Sequence, residues 1–305
     1  MKRREFVNTS AALGMSAALT QAQPAGKRLP IRKGMLLSML PRTLSLAERF
    51  QLAKDCGFQS MECGTEDNPK VAEEIKAASE RAGLPIHSVM NRDHWQSPLS
   101  SPNPELVDKS VKGMITSLDN AQLWGASVVL LVPAVVNAEV SYGDAWKRSF
   151  EVISKRLAPE AARRKVVIGI EEVWNKFLLS PLEMAHYVDS FKSPWVKAYF
   201  DVGNMVLYGF PQDWIRTLGS RIVKVHLKDF GWKNYTFTPD GQSKPVRKRV
   251  PEFVNLRDGD IDWKAVHQAL ADIGYKGDAT VEVSGGDAEY LKDLSRRVDL
   301  ILEGA

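Results

Sequence analysis

Val166-Val167-Ile168-Gly169-Ile170-Glu171, Val196-Lys197-Ala198-Tyr199-Phe200-Asp201, Ile222-Val223-Lys224-Val225-His226-Leu227 and Ala279-Thr280-Val281-Glu282-Val283 are four short apolar runs. Each ends on or beside a carboxylate or an imidazole. Runs of this length, rich in β-branched side chains, read as strands. Their near-continuous apolarity is what a parallel sheet covered on both faces requires. Working outward, Met35–Leu40, Ser60–Cys63, Pro85–Met90 and Ser127–Val132 supply four more such runs. Longer stretches of helical spacing lie between them. They cover Leu44–Cys56, Pro69–Ala82, Glu105–Trp124, Tyr142–Arg164 with a break near Pro159, a helix from Pro181, Pro211–Leu218, Asp262–Ile273 and Asp287–Glu303. Gly57, Gly83, Gly125 and Gly274 stand where helices stop. Two loops are long: 91–104 and 229–260. Eight alternating units point to an α/β fold, a (β/α)8 TIM barrel formed as a single domain by residues 26–305. An open doubly wound sheet would need a Gly-rich phosphate turn after the first strand, and none is present.

The chain has 305 residues, 44% of them hydrophobic, which suits one large core. Its 41 basic and 37 acidic residues leave a formal charge of +4, spread along the chain, so charge gives no argument for a nucleic-acid partner. Cys56 and Cys63 are too few for a disulfide framework, and two free thiols are expected. Residues 1–25 read separately. Lys2-Arg3-Arg4-Glu5-Phe6 precedes a weakly apolar, Ala-rich stretch from Thr9 to Leu19, and Thr20-Gln21-Ala22 offers a small residue for cleavage. This is the pattern of a twin-arginine signal peptide, and it predicts a periplasmic or exported protein. The apolar run is too short to span a bilayer, so no stable membrane insertion is expected.

In a (β/α)8 enzyme the active site lies at the carboxyl ends of the strands. Glu171, Asp201, His226 and Glu282 end four successive strands at that face. Taken singly, each has an ordinary structural reading. Asp201 can cap a turn through Gly203, and His226 can be a hydrogen-bonded core histidine. Together, three carboxylates around one imidazole would repel each other unless a cation neutralised them. Oxygen-rich ligation with one nitrogen suits a divalent metal ion: Mn2+ first, with Mg2+, Co2+ or Zn2+ as alternatives.

The segments Ile168–Asn175, Tyr199–Asn204, Val225–Asp229 and Thr280–Val283 resemble the xylose isomerase-like TIM barrel superfamily, often called sugar phosphate isomerases/epimerases. The resemblance runs from the first strand to the last helix. It implies a Glu, Asp, His, Glu metal set at Glu171, Asp201, His226 and Glu282, with the first and last as an acid/base pair. It also implies proton transfer at a carbon next to a carbonyl, through an enediolate. Strand five ends in two glutamates that face opposite ways. Alignment to the relatives' Glu-Asn pattern favours Glu171, and a shift of one would favour Glu172. Asn175 and Lys228, beside ligands, are candidates for sugar hydroxyls or an oxyanion. Asn204 stands where some relatives carry histidine, and His94, Trp95 and Trp174 are strand-end candidates for substrate contact. His186 and His267 fall within helices and outside the expected site. Arg247-Lys248-Arg249 in the long loop reads as a solvated charge run, with a lid as the alternative.

The expected activity is a divalent-metal-dependent sugar isomerase or epimerase acting on a small-molecule carbohydrate. A homo-oligomer is left open. One rival is a metal-dependent lyase or dehydratase acting on a keto-sugar or keto-inositol, since loss of a hydroxide or alkoxide follows the same proton removal. Another is a non-catalytic sugar-binding barrel, against which four intact strand-end ligands argue. The related nucleases need several more histidines at the site than a chain with 5 offers. Export would favour free sugars, sugar acids or oxidised glycosides over phosphorylated substrates.

Overall fold

Eight parallel strands close into a barrel in a computed structural model that describes residues 28–238 and 244–305. The signal peptide read at residues 1–25 lies outside the described residues. The first half comprises β1 (Arg32–Leu36), α1 (Leu46–Asp55), β2 (Ser60–Gly64), α2 (Pro69–Ala82), β3 (Ile86–Met90), α3 (Pro104–Trp124) and β4 (Val128–Leu131). Next come α4 (Tyr142–Val152), α5 (Ala158–Arg164), β5 (Val167–Glu171), α6 (Pro181–Ser190), β6 (Val196–Asp201), α7 (Pro211–Leu218) and β7 (Ile222–Leu227). Then β8 (Asp229–Phe237) and β9 (Val246–Val254) form a separate antiparallel hairpin, before α8 (Trp263–Asp272), β10 (Asp278–Val281) and α9 (Ala288–Leu302). The barrel runs β1 to β7 in chain order, and β10 pairs with both β7 and β1 to close it. Among the described residues no helix is long and apolar enough to cross a membrane. Cys56 and Cys63 are buried free thiols, as expected.

Local chemistry explains the boundaries. A Ser45/Glu48 capping box starts α1, and Asn68 with Pro69 starts α2. The break near Pro159 is a π turn over Ile153–Leu157, which widens the helix just where proline would lose a donor and collide with the preceding turn.

Two expectations need correction. The first strand is Arg32–Leu36 rather than Met35–Leu40, because Leu37–Met39 curl into a 3-10 turn that keeps Leu37 and Met39 in the apolar core. Apolarity alone cannot separate strand from buried turn. The polar start hid the strand: Lys33 is buried and reaches Asp299 at 2.6 Å. The second correction is the loop 229–260, most of which is the β8–β9 hairpin.

The main core lies between barrel and helices, while the barrel interior is half polar. Val128, Leu130, Val132 and Tyr199 form its apolar side. Opposite, at the foot of the barrel, Asp278 accepts from Lys224 Nζ at 2.7 Å and from Ser60 Oγ at 2.8 Å. His87 Nε2 meets Thr280 Oγ1 at 2.8 Å. Burial, with the neighbouring Lys224 charge, drives the His87 pKa down to about 3, so the ring is neutral at ordinary pH. Gly169 is required by close approach: a Cβ there would lie 2.9 Å from the Tyr199 ring. That missing side chain lets Tyr199 cross the interior toward β2.

Candidate active site

The end of each strand decides which side chain enters the mouth of the barrel. Register pairs Asp201 with His226 and His226 with Thr280, so the residue after β10's last, Glu282, arrives beside them. Its own N–H donates to Leu227 O, which anchors it just beyond the strand. Glu171, the last residue of β5, points inward. Glu171, Asp201, His226 and Glu282 thus present ligand atoms all within 4.8 Å of one another.

His226 is the centre of the cluster and is fully buried. Its Nδ1 lies 2.9 Å from Glu282 Oε2, 3.2 Å from Glu171 Oε1 and 3.8 Å from Asp201 Oδ2. Its Nε2 lies 3.0 Å from Glu62 Oε2, on the opposite edge of the ring. Tyr199 donates its hydroxyl to the same Glu62 oxygen at 2.6 Å. Lys228 Nζ bridges Asp201 and Glu282 at 3.1 and 3.0 Å.

The electrostatics follow from crowding. Burial works against a charged His226. The carboxylates of Glu62 and Glu282 outweigh it and hold the imidazole well above its ordinary range. Burial likewise opposes ionisation of Glu62, yet His226, His87 and the Tyr199 hydroxyl keep its carboxyl below its usual value. Burial, reinforced by the Glu282 charge, raises Glu171 despite its hydrogen bond to His226. Partial burial opposes ionisation of Glu282, but His226 and Lys228 pull its carboxyl down.

A divalent metal ion fits these donors. Asp201 Oδ1 accepts from the Gly203 and Asn204 N–H groups, which fixes the carboxylate, while the buried Oδ2 faces Lys228 Nζ at 3.1 Å and His226 Nδ1 at 3.8 Å. Three carboxylates converging on one inward-facing imidazole are an arrangement that a bound cation relieves.

The paired glutamates at the end of β5 are separated by direction. Glu172 lies behind the strand, where its Oε1 accepts from the Asp201 N–H at 3.3 Å. Burial, then the Glu171 charge, pushes its carboxyl well above the usual carboxylate range.

A cavity of about 280 Å3 opens over the cluster, lined by Glu171, Glu282, Lys228 and Asn204 and by apolar side chains of β3 and β4. His94, Trp95 and Trp174 also line it. Burial lowers the His94 pKa to about 4, so His94 offers a neutral ring. Asn204 is partly committed, because its Nδ2 donates to Glu172 O at 3.2 Å. Asn175 departs from expectation. Its Nδ2 donates to Ala134 O at 2.6 Å and its Oδ1 accepts from the Phe177 N–H, so it braces the loop after β4 rather than facing the cavity. His186 stacks on Trp146 and His267 Nδ1 meets Ile301 O, both outside the site as expected.

Three neighbours of the site went unread in the sequence. Glu62 was recoverable as the one charge within the Ser60–Cys63 run. Tyr199 was hidden as an apolar strand residue. Phe253 comes from β9 and stacks on Trp174 at 4.8 Å with rings 12° from parallel. The hairpin base is tied down by Asp229, which accepts from the Phe230 and Arg257 N–H groups and from Trp263 Nε1. The basic run at 247–249 is exposed, and Arg249 packs over the Trp232 ring.

A closed parallel barrel with an acidic, imidazole-bearing cluster at its carboxyl mouth defines a TIM barrel with a candidate metal centre. A family model described as a xylose isomerase-like TIM barrel matches residues 50–299, and the chain belongs to that family. SgbU of Escherichia coli strain K12, whose provisional name is L-ribulose-5-phosphate 3-epimerase, is 25% identical over 264 residues, covering 82% of this chain and 87% of SgbU. Among solved structures, the Escherichia coli 3-keto-D-glucoside 4-epimerase YcjR superposes with a TM-score of 0.69 at 16% identity, covering 87% of this chain and 97% of YcjR. D-allulose 3-epimerase from Methylomonas sp., solved with D-allulose, gives 0.69 at 18% identity, covering 91% and 98%. These proteins are named as sugar epimerases.

Proposed function

We propose that this protein is a divalent-metal-dependent sugar isomerase or epimerase, with Glu171, Asp201, His226 and Glu282 as ligands. The observation that carries the reading is the His226 Nδ1 edge, which faces three carboxylates within 3.8 Å at the mouth of the barrel. Family membership and the sugar epimerases among its relatives support it.

A bound divalent cation would polarise a sugar's carbonyl and acidify the neighbouring C–H. The chain's own residues do the rest. Glu171 and Glu282 both border the cavity and sit on different strands. One carboxylate takes the proton from the carbon next to the carbonyl, and the other returns a proton. Return to the opposite face inverts the carbon, and return to the neighbouring carbon interconverts ketose and aldose. Lys228 stabilises the extra negative charge that develops on the substrate oxygens. Trp95 and Trp174 offer apolar faces to the ring, and His94 offers a neutral hydrogen-bonding edge.

Solvent exchange tests the chemistry. Turnover of D-allulose, D-tagatose, L-ribulose or a 3-keto-glucoside with Mn2+ in D2O is expected to leave deuterium on one carbon beside the carbonyl, read by NMR. Turnover in which every substrate hydrogen is retained through prolonged incubation would contradict proton transfer by carboxylates open to solvent.

A further inference from the structure

The cavity above the ligand cluster has a neighbour. A second, of about 460 Å3, adjoins it on the side of the hairpin. Both are walled by Lys228, Phe253 and Glu282. The inner cavity lies at the small end of ligand sites, which run from roughly 300 to 1,000 Å3, and suits one sugar ring. The outer one is larger and begins at Glu282, a proposed proton carrier. We propose that the cleft binds a glycoside of two rings: a keto-sugar unit in the inner cavity, linked to a second ring in the outer one. This rests on the reading of the inner site as a sugar isomerase or epimerase centre.

The chemistry of the outer walls selects the second ring over a phosphate. Phosphate recognition calls for unspent cations or a cradle of N–H donors. Among the described residues of this cavity there are two ammonium groups, and each already faces carboxylates. Lys228 is held by Asp201 and Glu282, and Lys233 is paired with Glu252 at 2.5 Å. Asp258 lines the same wall and would repel an anion. It is itself paired with Arg297 at 2.6 Å. Asp229 and Glu282 add two more carboxylates that disfavour an anion, and the aromatic and neutral polar part of the lining is Phe253, Tyr290, Asn255 and Ser284. Tyr290, in the lining, donates its hydroxyl to Asn255 Oδ1 at 3.1 Å, which ties the two side chains together. Aromatic faces with neutral hydrogen-bonding groups fit the apolar faces and hydroxyls of a second sugar or an aryl aglycone. With Glu282 at the junction, the glycosidic link lies beside the reacting carbons.

The test is calorimetric titration of the Mn2+-loaded full chain with matched ligands. D-fructose is compared with lactulose, turanose and isomaltulose, 3-keto-D-glucose with 3-keto-cellobiose, and D-fructose 6-phosphate serves as the anionic rival. At least one two-ring ligand is expected to bind tenfold or more tighter than its one-ring parent. Tyr290→Ala is expected to bring that ratio below threefold, while Tyr290→Phe, which keeps the ring, preserves it. Equal binding of every pair, tightest binding by the phosphate, or a ratio unmoved in Tyr290→Ala overturns the proposal. These results would leave the one-ring chemistry intact. Failure of all sugars to bind the Mn2+-loaded protein would instead overturn the sugar reading itself, and the two-ring proposal with it.

Discussion

Glu282→Gln is expected to lower kcat/KM by at least about 10²–10⁴-fold, the contribution of a positioned acid or base. Glutamine keeps the length and planarity of the side chain, so the loss isolates its charge. Glu282 is the most open of the four proposed ligands, with about a quarter of its side chain accessible, and it borders both cavities. The variant removes the negative charge that faces His226 at 2.9 Å and Lys228 at 3.0 Å. Glu171→Gln is expected to fail equally. Glu172→Gln is the internal control, because Glu172 faces away from the cluster and accepts from the Asp201 N–H, a bond that an amide oxygen keeps, so the change comes at little cost to rate. Steady-state kinetics on the three variants check this. Near-normal turnover in Glu282→Gln, or a collapse confined to Glu172→Gln, would break the assignment of the acid/base pair.

Glu62→Gln is expected to weaken divalent-metal affinity by about 10–100-fold without unfolding the chain, as removal of a partner behind a ligating histidine does. Which ring nitrogen of His226 bears the proton decides the outcome. The Glu62 carboxylate only accepts, so Nε2 must donate to it and Nδ1 is left free to ligate. Glutamine can donate from its amide instead. The imidazole can then carry its proton on Nδ1, aimed into the cluster where a metal would bind. Tyr199→Phe removes a hydrogen bond to Glu62 but keeps the carboxylate, so its effect on affinity is expected to be smaller. Metal titration with circular dichroism as the folding control separates the outcomes. Wild-type affinity in a folded Glu62→Gln would show that Glu62 does not set the orientation of His226.

The parts of this site that were legible in the sequence share one property. They stand at the ends of buried parallel strands, where continuous apolarity marks the strand and the first polar residue marks its mouth. Glu171, Asp201, His226 and Glu282 were found that way, and Pro69–Ala82, Val196–Asp201 and Ile222–Leu227 have the expected boundaries. Side-chain direction was less legible. Asn175 is adjacent to the site in sequence, but its amide is spent on Ala134 and Phe177. Glu62 is distant in sequence and central in space, because β2 faces β6 and β7 across the barrel. The hairpin left no alternating signature because most of β8 and β9 is exposed on both faces, so no buried side imposes a period of two. Phe253, which joins the two cavities, was lost with it.

Metal binding by these four residues is the claim on which the rest depends, and titration of the metal-free protein with Mn2+ measures it directly. The account predicts one ion per chain, with stability rising by about 2.7 kcal/mol at a hundredfold excess over Kd. Binding and stabilisation are both expected to be lost in folded Asp201→Asn and His226→Gln variants. A wild-type chain that turns over sugar without taking up any divalent ion, or variants that bind Mn2+ as the wild type does, would contradict it.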